Sequence, residues 1–245
     1  MEASKTIFLT GFPGFIAGRL LRRLAVEPLK FLLLVQPAFV EHARQEVQEI
    51  ADQIKKPEAD FRILEGDITE LNLGLTAQDL ETARREATVI FHLAALYDLA
   101  VARDSALRVN LEGTRNVNQF ARSVSNLRHY HYVSTCYVAG KREGPIFENE
   151  LQHDAGFRNN YEESKYLAEV EVQSLKSELP VTIHRPAVVC GDSQTGETVK
   201  YDGIYYLIHY LLKRPRLLSL FNIGNREVSL NLVPVDFVLE ALAVL

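Results

Sequence analysis

The feature that most constrains this sequence is a run of glycines directly after its first apolar segment. Residues 7–9 are Ile-Phe-Leu, and the stretch that follows, Thr10-Gly-Phe-Pro-Gly-Phe-Ile-Ala17, places Gly11, Gly14 and Ala17 three residues apart. Ordered glycine loses much conformational entropy, so the bare backbone must serve a purpose. A strand that turns tightly into a helix beside a phosphate is such a purpose, because N–H groups at a helix start bind anions. The loop favours a dinucleotide site, and an ordinary strand-to-helix turn is the alternative.

Apolar runs alternate with longer amphipathic segments along the chain. The strands predicted from the apolar runs are 6–10, 30–35, 61–65, 88–92, 129–134 and 180–185. The predicted helices are about 14–26, 38–55, 104–124 and 159–178. Strands such as 31–35 are apolar throughout, as expected when helices cover both faces of a parallel sheet. The sequence predicts an α/β fold with a doubly wound parallel sheet, the Rossmann fold.

The composition excludes several classes of function. The chain has 245 residues, a formal net charge of −5 and scattered basic residues, which is not the pattern of a nucleic-acid-binding surface. The two cysteines, Cys136 and Cys190, form no metal-type cluster, and the polar start is not a signal peptide. No apolar stretch reaches the ~18 residues that span a bilayer. We expect a cytoplasmic protein with reduced thiols, no metal site and no transmembrane segment.

The spacing Tyr-x-x-x-Lys occurs at Tyr137–Lys141, in a predicted loop, and at Tyr161–Lys165, in a predicted helix. On a helix these two side chains share a face. An ammonium beside a phenol lowers the pKa of the phenol, which suits Tyr161 to proton transfer near neutral pH. Thr135 and Ser134, at the end of the preceding strand, offer a hydroxyl. The alternative is a solvent-exposed helix on which Tyr161 and Lys165 are neighbours by chance.

Together these stretches resemble the extended short-chain dehydrogenase/reductases. Within them the chain is most similar to the male-sterility or thioester-reductase-like branch, which includes fatty acyl-CoA reductases. The stretches that carry the resemblance are Thr10–Ala17, Val89–Asp98, Val109–Thr114, Tyr132–Gly140, Tyr161–Lys165, His184–Val189 and, for the branch, residues 191–197 (GDSQTGE). The resemblance implies one NAD(P)-binding Rossmann domain over residues 1–245, with a small C-terminal substrate region that is truncated or minimal. Residues 191–230 would contribute to the substrate pocket.

The resemblance also assigns the site. Its catalytic residues would be Thr135, Tyr161 and Lys165, with Ser134 only a neighbour. Lys165 would also bind the nicotinamide ribose. The residues expected to contact the cofactor are Gly11, Phe12, Pro13, Gly14, Phe15, Ile16, Gln36, Asp67, Ile68, Ala94, Ala95, Asn110, Lys165, Pro186, Ala187 and Val189. No metal ligand is expected.

The second strand ends at Gln36, where relatives that prefer NAD usually carry an acidic residue. Its absence favours NADP, with NAD left open, and Arg19 would be placed to meet a 2′-phosphate. The expected activity is reduction of an acyl thioester or aldehyde by NAD(P)H. A sugar-nucleotide epimerase or dehydratase with bound NAD is the alternative enzyme, and a nucleotide-sensing interaction protein is the non-enzymatic one. The expected partner is a small molecule, and an oligomer is left open.

Four tyrosines near the C-terminal end, Tyr201, Tyr205, Tyr206 and Tyr210, either line an acyl or aromatic pocket or pack in a core. The last three lie in an apolar segment, residues 204–212, that is predicted to be a helix. His92 is expected to pack at a strand end. His129 and His131 alternate along a strand and have no partner at metal-binding spacing.

Overall fold

The computed structural model describes residues 5–198, 204–213 and 230–244. Within these, six parallel strands form one sheet in the order β3-β2-β1-β4-β5-β6. The strands are β1 (Thr6–Thr10), β2 (Lys30–Val35), β3 (Phe61–Glu65), β4 (Val89–His92), β5 (His129–Val133) and β6 (Val181–His184). The strand order reverses direction between β1 and β4. The predicted doubly wound parallel sheet is confirmed, and all six predicted strands are present.

Helices cover both faces of this sheet. They are α1 (Phe15–Ala25), α2 (Val40–Ile54), α3 (Ala77–Glu86), α4 (Arg103–Ala106), α5 (Gly113–Ser123) and α6 (Asn160–Ser174), followed by α7 (Ile204–Lys213) and α8 (Val235–Val244). Alternate residues of β1 point to opposite cores. Ile7 and Leu9 pack with α1, α2 and α8, and Phe8 packs with α3, α5 and α6. A strand buried on both faces therefore has to be apolar throughout.

Three predicted helices are divided into shorter helical elements, and one helix was not predicted. The predicted helix 159–178 is α6 followed by a 3₁₀ turn at Leu175–Ser177. The predicted helix 38–55 begins as a 3₁₀ turn at Pro37–Phe39 before α2. The predicted helix 104–124 is α4, a π-helical turn at Leu107–Glu112, and α5. Helix α3 was not among the predicted helices, because its sequence is mostly polar and only a narrow stripe of it is buried.

A second, two-stranded parallel sheet joins β7 (Val188–Cys190) to β8 (Leu232–Pro234). Helix α8 follows β8 and adds Val235, Val238 and Leu242 to the core beside α1. The predicted helix 204–212 is present as α7. No helix within the described ranges is long and apolar enough to cross a membrane.

Much of the proposed substrate region, namely 199–203 and 214–229, lies outside the described residues, and so does Tyr201. On α7, Tyr206 and Tyr210 are exposed, so they do not pack in a core. The hydroxyl of Tyr205 accepts a hydrogen bond from the Gly191 N–H at 2.5 Å.

Candidate active site

The glycine loop lies at the carboxyl end of β1, and its own geometry requires both glycines. Gly11 has φ +91°, and a Cβ there would lie 2.8 Å from the Ala94 nitrogen. A Cβ on Gly14 would lie 2.6 Å from the Gly11 carbonyl oxygen. Gly14 caps α1 and is exposed, and the first turn of α1 contains no acidic residue. The Gly14 N–H donates to the Gly11 carbonyl at 2.8 Å, so the N–H groups that an anion can approach are those in the first turn of α1.

The other residues expected at the cofactor follow the carboxyl ends of the strands. Asp67 and Ile68 follow β3, Ala94 and Ala95 follow β4, and Pro186 and Ala187 follow β6. Val189 lies in β7. These ends meet at the same edge of a parallel sheet, which is the binding edge of doubly wound folds.

The side chains of the other four loop residues are buried or partly buried. The Phe12 side chain is buried in the core, so only its backbone is left for a ligand. Phe15 and Ile16 pack partly against the same core, and Pro13 is half-buried.

The end of β2 is tied to the end of β3. The Gln36 amide donates to the Asp67 carboxylate at 2.8 Å, and Asp67 also accepts from the Thr69 N–H. Arg19 points elsewhere, with its guanidinium 2.9 Å from Glu197 and 3.9 Å from Asp192. The expectation that Arg19 meets a 2′-phosphate is not supported, because two carboxylates already hold its side chain.

Tyr161 and Thr135 meet at this edge. Tyr161 is 6% exposed, packs against Val101 and stands edge-on to Tyr97 with ring centroids 5.2 Å apart. Burial is the largest effect on Tyr161 and raises the pKa of its phenol above the ordinary value, and Tyr97 adds to this. Thr135 lies beside its phenol and opposes part of the rise in its pKa. The phenol is therefore protonated at neutral pH.

Lys165 does not act on Tyr161 as the sequence suggested. Its ammonium donates to the Tyr132 phenol at 2.9 Å and to the Val133 carbonyl at 2.9 Å. Burial lowers the pKa of Lys165 to about 7, with Glu169 opposing the fall. The expected lowering of the Tyr161 pKa by Lys165 is wrong for this arrangement, because burial dominates and Lys165 is bonded to β5.

The second Tyr-x-x-x-Lys motif, predicted to lie in a loop, begins in a 3₁₀ turn at Cys136–Ala139. Tyr137 nevertheless packs against the same small cluster as Tyr161. Burial raises the pKa of Tyr137, and Arg158 opposes this. Lys141 is exposed. Tyr137 is therefore a neighbour of the site rather than an unrelated residue.

Ser134 and Asn110 have structural partners. Ser134 donates to the buried Glu169 carboxylate at 2.5 Å, which in turn pairs with Arg185. The Asn110 amide binds both backbone groups of Leu96 and the Ser164 hydroxyl at 2.9 Å. The Asn110 side chain was expected at the cofactor, but it is 1% exposed and its hydrogen bonds are internal.

Buried histidines lie on β4 and β5, and His92 packs at the end of β4 as predicted. His131 is 3.1 Å from His184 between ring nitrogens and stacks on Phe91. Burial is the main cause that lowers the pKa of His131 to about 3 and of His184 to about 4. No cluster suited to a metal ion occurs among the residues that the structure describes.

Sequence reasoning did not find the hydrogen bonds behind Lys165. They involve Tyr132 in β5, His92 in β4 and Thr114 in α5. The signal was present, since polar residues in a strand buried on both faces need partners, but the sequence does not say which partners.

Known proteins resemble this chain in sequence and in fold. The family model described as "Male sterility protein" matches residues 9–242. The fatty acyl-CoA reductase wat of Drosophila melanogaster is 24% identical over 97% of this chain, which spans 53% of that protein. The terminal R domain of the myxalamid PKS-NRPS pathway is 27% identical with a TM-score of 0.82, and the match covers 98% of this chain and 61% of that one.

Epimerases share the fold at lower identity. A UDP-N-acetylglucosamine 4-epimerase from Methanobrevibacter ruminantium M1 has a TM-score of 0.67 and 18% identity, over 97% of this chain and 71% of that one. This is a likeness of fold alone.

Proposed function

We propose that this chain, which belongs to the male sterility protein family, is an NAD(P)H-dependent oxidoreductase that reduces the carbonyl of an acyl thioester or an aldehyde. The observation that carries the proposal is that the buried phenol of Tyr161 lies beside Thr135, one helical turn before Lys165, at the sheet edge that also holds the glycine loop. The fatty acyl-CoA reductase and the R domain that resemble the chain support this choice of substrate. Because the chain spans about half of the fatty acyl-CoA reductase, the activity of the whole protein is part of the proposal.

The residues present fit a dinucleotide. The exposed backbone at Gly14 and the N-terminus of α1 would hold the pyrophosphate, and Asp67 and Ile68 would lie by the adenine. Lys165 would donate to the nicotinamide ribose. When bound, the reduced nicotinamide supplies a hydride for a carbonyl carbon.

The protein's part of the reaction is to bind and protonate the carbonyl oxygen. Thr135 and Tyr161 would hydrogen bond that oxygen as it gains negative charge. Tyr161 then gives its proton to the oxygen, and its raised pKa keeps that proton in place at neutral pH. With a thioester this gives a thiohemiacetal, whose hydroxyl proton passes to sulfur as the carbon–sulfur bond breaks, so that an aldehyde and a thiol leave.

We propose NADPH as the preferred reductant. The side chain at the end of β2 is the neutral amide of Gln36, which does not repel a 2′-phosphate. Fluorescence titration with NADPH and NADH compares the two dissociation constants directly, and tighter binding of NADH would overturn this preference.

We also propose that residues 1–245 act as one domain and that residues 191–230 border the substrate.

The experiment that tests the function follows NADPH absorbance with a panel of acyl-CoA thioesters and aldehydes. We expect oxidation of NADPH that depends on at least one of them and that is lost in Lys165→Met. No oxidation with any carbonyl substrate, together with turnover of a sugar nucleotide in the presence of NAD, would favour the epimerase alternative.

A further inference from the structure

A set of buried polar side chains connects Lys165 to the strand that carries the glycine loop. The Lys165 ammonium donates to the phenol of Tyr132 at 2.9 Å, and the Tyr132 ring lies 5.5 Å from the ring of His92. His92 joins Thr114 at 3.1 Å through Nε2 and Thr10 at 2.8 Å through Nδ1. The side chains of all five residues are buried, with none more than 2% exposed. This set crosses β5, β4 and β1 beneath the candidate site.

The donors and acceptors in this set can be assigned without conflict. The Ala94 N–H donates to Thr10 at 3.1 Å, so the Thr10 hydroxyl can donate to Nδ1 of His92. Nε2 of His92 then carries the hydrogen that Thr114 accepts, and Thr114 donates to the Asn110 carbonyl at 2.6 Å. These hydrogen bonds hold Thr10, His92 and Thr114 in one arrangement.

Beyond His92, the hydrogen bonds of Thr114 and Thr10 end on two backbone groups, the Asn110 carbonyl and the Ala94 N–H. A proton that entered at Lys165 would have no exit there, so the set is not a route for protons. Its geometry instead fixes the direction of the ammonium. Two of the three N–H donors point at Tyr132 and the Val133 carbonyl, which determines where the third one points.

We propose that Tyr132 is a positioning residue for Lys165, with its ring packed against His92, which Thr10 joins to the strand that carries the glycine loop. The proposal rests on the proposed function in one respect, that Lys165 serves the cofactor. The ring of Tyr132 lies 4.4 Å from Nζ, so its face also meets the ammonium. The other charged or titratable groups that act on this ammonium are Glu169 from its own helix and His92 from β4.

The chain provides a matched control. Tyr130 lies two residues earlier on β5, points to the same side and is fully buried, but its hydroxyl donates to Asn118 at 2.9 Å. Tyr132→Phe and Tyr130→Phe each delete one buried phenol oxygen and keep the ring. Only Tyr132→Phe removes an acceptor from Lys165.

The test is an NMR titration of the Lys165 side chain in the full chain without cofactor, with Lys165→Met identifying its signal. We expect the titration midpoint to fall by about one pH unit in Tyr132→Phe, because a hydrogen bond to a charged group is lost. Tyr130→Phe is expected to keep the wild-type midpoint. An unchanged midpoint in Tyr132→Phe, or equal shifts in both variants, would overturn the proposal.

Should Tyr132→Phe not fold, Thr114→Val removes the hydroxyl that holds His92 against the Tyr132 ring, and Thr114→Ser restores a hydroxyl. The midpoint is expected to fall in Thr114→Val and return in Thr114→Ser, and a wild-type midpoint in Thr114→Val contradicts the proposal. The titration contains no substrate. A chain that shows the shift but reduces no carbonyl would therefore keep this role for Tyr132 and lose the proposed function.

Discussion

At the scale of residues, the geometry of the candidate site depends on which buried polar side chains contact each other. Tyr161 lies with Thr135, and Lys165 lies with Tyr132, although Tyr161 and Lys165 are four residues apart on one helix. Burial raises the pKa of Tyr161 and lowers that of Lys165, so both shifts favour the neutral forms. A neutral phenol is what a proton donor in reduction requires.

Tyr137 is a near neighbour of the site whose hydroxyl has no assigned part in the chemistry. Tyr137→Phe is expected to lower kcat/KM less than ~10-fold, whereas loss of a general acid costs ~10²–10⁴-fold. Steady-state kinetics with the best thioester measures this. Tyr166, which packs with His153 and Phe157, provides a control tyrosine on the same helix as Tyr161. If kcat/KM falls as much in Tyr137→Phe as in Tyr161→Phe, Tyr137 takes part in proton transfer.

At the scale of elements, sequence patterns predicted the strands well and some helices less well. Each strand of the large sheet is a short apolar run between turns, so local sequence is enough to find it. Helix α3 was missed because it is mostly polar, and the pairing of β7 with β8 joins residues more than 40 positions apart. The Tyr161–Lys165 motif predicts where the candidate site lies, but the partner of Lys165 depends on how α6 packs on β5.

The glycine loop gives a prediction at this scale. Gly14→Ala is expected to weaken cofactor binding and to lower the free energy of unfolding by about 1–3 kcal/mol, because its Cβ meets the Gly11 carbonyl at 2.6 Å and the loop must open. Gly18→Ala in α1 is the control, since its Cβ meets only the movable carboxylate of Glu46. Fluorescence titration and urea unfolding measure both effects. Equal cofactor affinity in Gly14→Ala and wild type would mean that the loop is only a turn.

At the scale of the whole molecule, buried histidines make stability depend on pH. Burial lowers the pKa of His92 and of His131 to about 3, below the ordinary value of 6.5. Between these values the unfolded chain binds protons that the folded chain does not, so stability falls as pH drops below about 6.5. We expect unfolding free energy to be about 2–4 kcal/mol lower at pH 5 than at pH 7, measured by urea titration.

The variant His131→Gln is expected to show a weaker dependence on pH, because one buried group that resists protonation is gone. His42→Gln, at an exposed position on α2, is the control and should behave as wild type. If the free energy of unfolding falls by the same amount between pH 7 and pH 5 in His131→Gln and wild type, His131 does not contribute to the pH dependence of stability.

The most direct test of the central claim is the rate of the chemical step in Tyr161→Phe. The change removes one oxygen from a buried ring, so folding and NADPH binding are expected to stay near wild type. Single-turnover oxidation of bound NADPH by a thioester should slow by ~10²–10⁴-fold, while Tyr166→Phe keeps the wild-type rate. A wild-type rate in Tyr161→Phe would contradict the account, because the proton would then reach the carbonyl oxygen from another group.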